Sequence, residues 1–197
     1  MGCDVPLYFF LEQIKSDLEA SPVRLWPREL SIDTRAGIKE VICNKDGSFS
    51  VNMGSPIFSH VDFPNNPLIL ENIEFKFVSM GNPHAVGFVK NISDVNISQI
   101  GPKIELNSHF PNKINVELVE KIRGNYFKVK VWERGVGITL ACGTGACAVY
   151  AIIKKENKNI SEIILEFPGG NLYLSENKEG KIILRGPAVC VFKGEIK

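Results

Sequence analysis

The chain has 197 residues, 44% hydrophobic and 23% charged, enough for one large domain or two small lobes with a buried core. A formal net charge of +1 gives no electrostatic case for nucleic acid or an anionic membrane, and no apolar run approaches the roughly 18–20 residues that cross a bilayer. Five cysteines without paired spacing, behind a start that lacks a basic-then-apolar leader, argue against a secreted disulfide framework, so a cytoplasmic location is expected.

Pro6 to Ala20 carries Leu7, Phe10, Leu11, Ile14 and Leu18 on one helical stripe. Short β-like runs follow at Leu30–Asp33, Ile38–Cys43 and Phe49–Met53, the last two separated by the turn Asn44-Lys45-Asp46-Gly47. Gly54-Ser55-Pro56 breaks the pattern and is a candidate lobe boundary. Strands are expected at Ile73–Ser79 and Ala85–Lys90, flanking Met80-Gly81-Asn82-Pro83-His84. Gly101-Pro102 can start a short helix, since proline is tolerated in a first turn. Val116–Ile122 and Tyr126–Glu133 read as a hairpin whose second strand buries Phe127, Val129 and Val131.

From about Thr144 to Lys155 the chain is rich in alanine and apolar almost all round, which predicts a core helix. The mixed run Lys154–Asn159 is its solvated end. Further strands are expected at Ile163–Phe167, Leu172–Ser175, Lys181–Arg185 and Ala188–Phe192. The sum is an α+β fold, with mostly antiparallel strands by loop length wrapped around one buried helix. Three Asn-x-Ser sequons, at Asn91, Asn96 and Asn159, read as chance in an Asn-rich chain.

Chemistry concentrates at residues 132–148. Glu133-Arg134 closes a strand, and Cys142 precedes Gly143-Thr144-Gly145 at the start of the core helix. A thiol there meets the positive end of the helix dipole and unpaired backbone N–H groups, so its pKa is expected to fall. The same N–H groups can hold a carboxylate. The bland alternatives are a small buried residue opening a helix for Cys142, a strand-end ion pair for Glu133-Arg134, a turn residue for Asn82 and a structural histidine for His84. Cys147, Cys43 and Cys190 read as core, C-x4-C is not a usual zinc pair, and His60 and His109 receive no role.

Trp132-Glu133-Arg134-Gly135 with Ala141-Cys142-Gly143-Thr144-Gly145-Ala146-Cys147-Ala148 resembles the second signature of the diaminopimelate epimerases. Ser79-Met80-Gly81-Asn82-Pro83-His84, Val51-Asn52-Met53-Gly54, Pro168-Gly169-Gly170 and Gly186-Pro187-Ala188 match further landmarks in the same order. The resemblance implies two pseudo-symmetric lobes, each a strand-rich, barrel-like layer around a central helix. Residues 1–53 would form part of the first lobe, joined by a strand over 189–197, and residues 54–188 a complete second one.

It also implies inversion of the α-carbon of diaminopimelate without pyridoxal phosphate or metal, between two cysteines, in lysine and peptidoglycan precursor biosynthesis. Carried over residue by residue, Cys142 is one acid/base, and Glu133 and Arg134 contact the substrate near the reacting centre. Asn82 and Asn115 bind its polar groups, Gly143 and Thr144 donate N–H groups to its α-carboxylate, and His84 sits at the edge of the site.

The family's first-lobe Cys-Gly-Asn-Gly signature has no match here, and Cys3 is not assigned as its base. Ile138 stands where the family usually carries an acid before Thr139. The expectations are therefore an epimerase lobe acting on a small amino acid, or a non-catalytic remnant that binds a carboxylate, or another racemase or isomerase of the same fold. A cysteine hydrolase pairing Cys142 with His84 requires those two groups within hydrogen-bond reach. Open strand edges in residues 6–53 favour pairing with a second copy, so a homodimer is also expected.

Overall fold

The computed structural model describes residues 29–34, 37–60, 63–64 and 67–188. The helix expected from Pro6 to Ala20, the strand residues beyond Ala188, Cys3 and Cys190 lie outside the described residues. The chain divides into two compact units, Met1–Asn52 with Arg185–Lys197, and Met53–Leu184.

In the first unit β1 (Glu29–Thr34), β2 (Gly37–Cys43) and all but the last two residues of β3 (Phe49–Gly54) form an antiparallel meander. The β2–β3 turn is the expected one. Asn44 donates its side-chain amide to the Ser48 and Ser50 hydroxyls, and Asp46 accepts from the Ser48 N–H. Val41, Phe49 and Val51 are buried, while the Cys43 thiol is half-buried at the end of β2.

The second unit carries β4 (Leu68–Leu70), β5 (Ile73–Ser79), β6 (Pro83–Val89), α1 (Ile97–Glu105), β7 (Asn115–Arg123), β8 (Tyr126–Glu133), β9 (Gly137–Thr139), α2 (Gly143–Glu156), β10 (Glu162–Phe167) and β11 (Gly170–Glu176). The closing β12 (Ile182–Gly186) runs into the division between the units. The strand order is β11-β10-β8-β7-β6-β5-β4, with β9 paired to β8.

Neighbours are antiparallel except β6–β7 and β8–β10, which are parallel. A parallel pair needs a crossover, and α1 and α2 supply the two crossovers. Both step the same way across the sheet from strands of opposite direction, so right-handed crossovers place the helices on opposite faces. Loop length alone hid this. A helix is expected in each connection from the sequence, but loop length gives no sign that it joins parallel strands.

Strand pleating then sorts the side chains. Phe75, Phe77, Ala85, Val116 and Leu118 face α1 with Ile97 and Ile104, whereas Val78, Val86, Val119, Phe127, Val129 and Val131 face α2. The central helix is as apolar as expected, with every residue from Gly145 to Ile153 buried. By the same alternation His84, Asn115, Glu117 and Glu133 fall on the α2 face, and Trp132 falls on the α1 face.

Helix α1 does not start at Gly101-Pro102. It starts at Ile97, because the Asn96 side chain accepts from the Ser98 N–H at 3.1 Å and from the Ser98 hydroxyl at 2.6 Å. Pro102 is carried inside the helix, whose burial of Ile97 and Ile104 offsets the lost hydrogen bond. Asn91 likewise caps the short 3-10 turn Ile92–Asp94. Two of the three Asn-x-Ser triplets thus have a local structural role as capping turns. Gly101 is required where it stands, since a Cβ there would meet the Trp132 ring at 2.6 Å.

Candidate active site

Cys142 occupies the N-cap of α2, in extended conformation, and its Sγ accepts from the Gly145 N–H at 3.4 Å. The Thr144 Oγ1 lies 3.5 Å from the same sulfur. The loop before β6 brings Asn82 to this point, where its Nδ2 donates to Thr144 Oγ1 at 3.3 Å. Behind it His84 is fully buried. Its Nε2 lies 3.0 Å from Asn82 Oδ1 and its Nδ1 lies 2.7 Å from Glu117 Oε1. His84 therefore does not sit at the edge of the site, because pleating on β6 turns it inward beneath α2. Its two ring nitrogens are taken by Glu117 and Asn82 and neither bonds Cys142, which removes the geometry a cysteine hydrolase needs.

On the other side, the Thr139 hydroxyl of β9 donates to Glu133. The carboxylate of Glu133 acts on the Cys142 thiol through its field. Asn115 is a brace. Its Nδ2 donates to the Pro83 carbonyl at 2.8 Å, and its Oδ1 accepts from the Arg134 N–H at 2.9 Å, tying β6 to the end of β8. The exposed Arg134 guanidinium donates to the Asn112 carbonyl at 3.1 Å. Gly143 and Thr144 open α2, where a helix offers its N–H groups no internal acceptor. Thus Cys142, Thr144, Asn82 and His84 form one hydrogen-bonded chain, Glu133 flanks it through Thr139, and the Arg134 side chain is directed to Asn112 instead.

The expected fall in the Cys142 pKa is corrected. Burial pushes the thiol up to about 12, the Glu117 and Glu133 carboxylates add to the rise, and the Thr144 and Gly145 hydrogen bonds only oppose it. The dipole argument counted the donors but not the desolvation or the two anions. One consequence is testable. Between roughly pH 9 and pH 12 the unfolded chain has lost this proton and the folded chain keeps it, so the contribution of Cys142 to stability falls as pH rises through that window. Urea unfolding should show the parent losing up to about 1.4 kcal/mol per pH unit relative to Cys142→Ala above pH 9. A constant difference would contradict the assignment.

Two acidic residues escaped the sequence reading. Glu117 is fully buried, with Oε2 unpartnered. Glu105, 5% exposed, accepts from Trp132 Nε1 at 2.7 Å and from the Gly135 N–H at 2.9 Å. The available signal for Glu117 was a lone acid inside the apolar run Val116 to Val119. Ile138 is exposed on β9. A cavity of about 470 Å³ beside it is lined by Asp94, Asn96, Lys130 and Thr139, but Cys142 and His84 do not line it, so it is not the centre of this site. Among the described residues no His, Cys, Asp and Glu group is arranged to hold a metal ion, and no helix is long and apolar enough to cross a membrane.

A family model described as diaminopimelate epimerase matches residues 76–191. A diaminopimelate epimerase of Zymomonas mobilis is 39% identical over 177 residues, covering 85% of this chain and 65% of its own length. One from Methanococcus maripaludis is 39% identical over 183 residues, covering 85% of this chain and 66% of its own. The chain thus spans about 65% of the length of the curated relatives it matches.

Among solved structures, a hydroxyproline epimerase from Agrobacterium vitis, bound to trans-4-hydroxy-L-proline, superposes with a TM-score of 0.63 at 14% identity, over 90% of this chain and 62% of that one. A PhzF-family phenazine biosynthesis protein from Bacillus anthracis gives 0.62 at 17% identity, over 90% and 70%. These likenesses establish the fold. The family match over residues 76–191 and relatives at 39% identity establish the lineage: the chain belongs to the diaminopimelate epimerase family.

Proposed function

We propose that this chain acts in the epimerisation of diaminopimelate in the cytoplasm, with Cys142 as one of the two groups that exchange the α-proton. The observation that carries this reading is the placement of Cys142 Sγ, with the Gly145 N–H and the Thr144 hydroxyl both on it. The first-turn N–H groups of Gly143 and Thr144 stand beside it and suit the substrate carboxylate. An α-carbanion without an imine to delocalise it depends on such fixed dipoles.

The raised thiol also fits the cycle. An incoming α-ammonium beside Cys142 and Glu133 supplies the cation that both anions lack, so substrate itself favours the thiolate. Cys142 then takes the α-proton from one face, and a second base must return a proton to the other face for inversion. Glu133, held by Thr139, is the substrate's ammonium partner in this reading. Asn82 and Asn115 serve polar groups, and Arg134 a carboxylate.

The test is incubation of the folded chain with LL- or meso-diaminopimelate in deuterated water, reading α-deuterium and stereochemistry together. Deuterium uptake is expected. Uptake with inversion means that a second base acts with Cys142, and uptake without it means that Cys142 works alone. No uptake overturns the epimerase reading. Binding without uptake would then favour the reading that a thiol at about 12 also suits, a fold that holds an amino-acid carboxylate without turnover.

A further inference from the structure

The hydrogen-bonded chain behind Cys142 has a direction that hydrogen placement fixes. Asn82 presents its amide oxygen to His84 Nε2, so a hydrogen sits on Nε2. Glu117 Oε1 faces Nδ1 at 2.7 Å, so one further hydrogen lies between those two atoms, whichever of them holds it. The Asn82 amide then donates to Thr144 Oγ1, which leaves the Thr144 hydroxyl hydrogen free to point at Cys142 Sγ, 3.5 Å away. From His84 Nε2 onward each link donates toward the sulfur, where the Gly145 N–H is a second donor. Such chains polarise one another, and each donor on sulfur favours the thiolate.

Glu117 anchors this chain from below. It is fully buried on β7, and it is packed so closely against α2 that a Cβ on Gly145 would lie 2.5 Å from its Oε1. Only glycine leaves room for it. Its Oε2 is unpartnered, so its sole side-chain partner among the described residues is His84. A buried carboxylate kept at the expense of an unpaired oxygen does not act as a stabilising contact, since an apolar residue of its size would pack there without that cost.

We propose that Glu117 is a positioning residue for Cys142. It locks the His84 ring with Nε2–H toward Asn82, and so aims the Thr144 hydroxyl hydrogen at Sγ. This rests on Cys142 as the acid/base of the site, and it adds a buried group that the substrate never touches.

The direct field of the same carboxylate opposes a thiolate, so removing Glu117 gives opposite signs for the two effects. The experiment is peptide-resolved iodoacetamide alkylation of Cys142 in the full chain at pH 8, with Cys147 as the internal control for loosening of the core. Glu117→Leu and Thr144→Val should each slow Cys142 by about tenfold, the effect of one lost hydrogen bond to a charged acceptor. The double variant should be no slower than the slower single, because both cut the same chain. Thr144→Ser, which keeps the hydroxyl, should restore the parent rate.

A faster or unchanged Cys142 in Glu117→Leu overturns the proposal, as does a double variant whose losses multiply. If Glu117→Leu does not fold, 15N NMR of the parent decides. Hydrogen on His84 Nε2 is expected, and a lone pair there overturns the direction of the chain. Because thiol reactivity is read rather than turnover, the relay can fail while the chain still exchanges α-protons, and the relay can hold in a chain that exchanges none.

Discussion

Cys142→Ala is expected to lower α-proton exchange of diaminopimelate by about 10²–10⁴-fold, the usual worth of a positioned general acid or base. Alanine also removes the sulfur that accepts the Gly145 N–H, so α2 loses its cap, at about 1 kcal/mol. The two losses separate with Cys142→Ser. A serine oxygen is among the best N-caps, so stability should return to or above the parent's, yet exchange should stay low because an alkoxide is far harder to form than a thiolate. Exchange by mass spectrometry and urea unfolding on the same preparations read both quantities. Parent-like exchange in either variant would move the chemistry to another residue, and Cys147, buried in the α2 core, could not take it.

The elements that the sequence made legible are those that pattern alone determines. Phe127, Val129 and Val131 alternate with Lys128 and Lys130, and β8 buries the apolar set. The Ala-rich stretch after Thr144 has no polar face, and α2 is core. The two strands missed, β4 and β9, are three residues each, too short to show a period. Parallel pairing was invisible because it depends on where the α1 and α2 crossovers land, which local sequence does not encode. The start of α1 was legible in Asn96-Ile97-Ser98 but was assigned to the proline instead.

At the site, the motif residues Cys142, Thr144, Asn82 and His84 do come together, because the start of β6 meets the N-terminus of α2 through the Asn82–Thr144 bond. What stayed hidden was burial. Burial turned His84 from an edge residue into an interior one, and with two carboxylates it reversed the expected shift of the Cys142 thiol. Donors near a group can be counted from a sequence. The low dielectric around it and an acid arriving from another strand, as Glu117 does, belong to tertiary structure.

Glu105→Ala should have the largest effect on stability, about 2–3 kcal/mol, although the residue touches neither Cys142 nor Glu133. It is 5% exposed at the end of α1, and its two oxygens take the Trp132 indole N–H and the Gly135 backbone N–H. Without it both donors lose their acceptor, the Trp132 indole in the less exposed position of the two. The Trp132 ring, seated against Gly101, would also lose the bond that fixes its rotation. The exposed end of Lys113, 3.7 Å from Glu105 Oε1, contributes little to this sum.

Since Glu105 holds the residues on both sides of Glu133-Arg134, the loss should reach the chemistry as well. The turn after β8 should loosen, and α-proton exchange should fall even where the variant remains folded. Glu105→Gln sharpens the argument. Its amide oxygen can serve only one of the two donors and its NH₂ confronts the other, so it should recover less than half of the stability. Urea midpoints for the three chains check the order parent, Gln, Ala. A Glu105→Ala chain as stable as its parent would mean that the bonds to Trp132 and Gly135 are not what holds the β8 end in place.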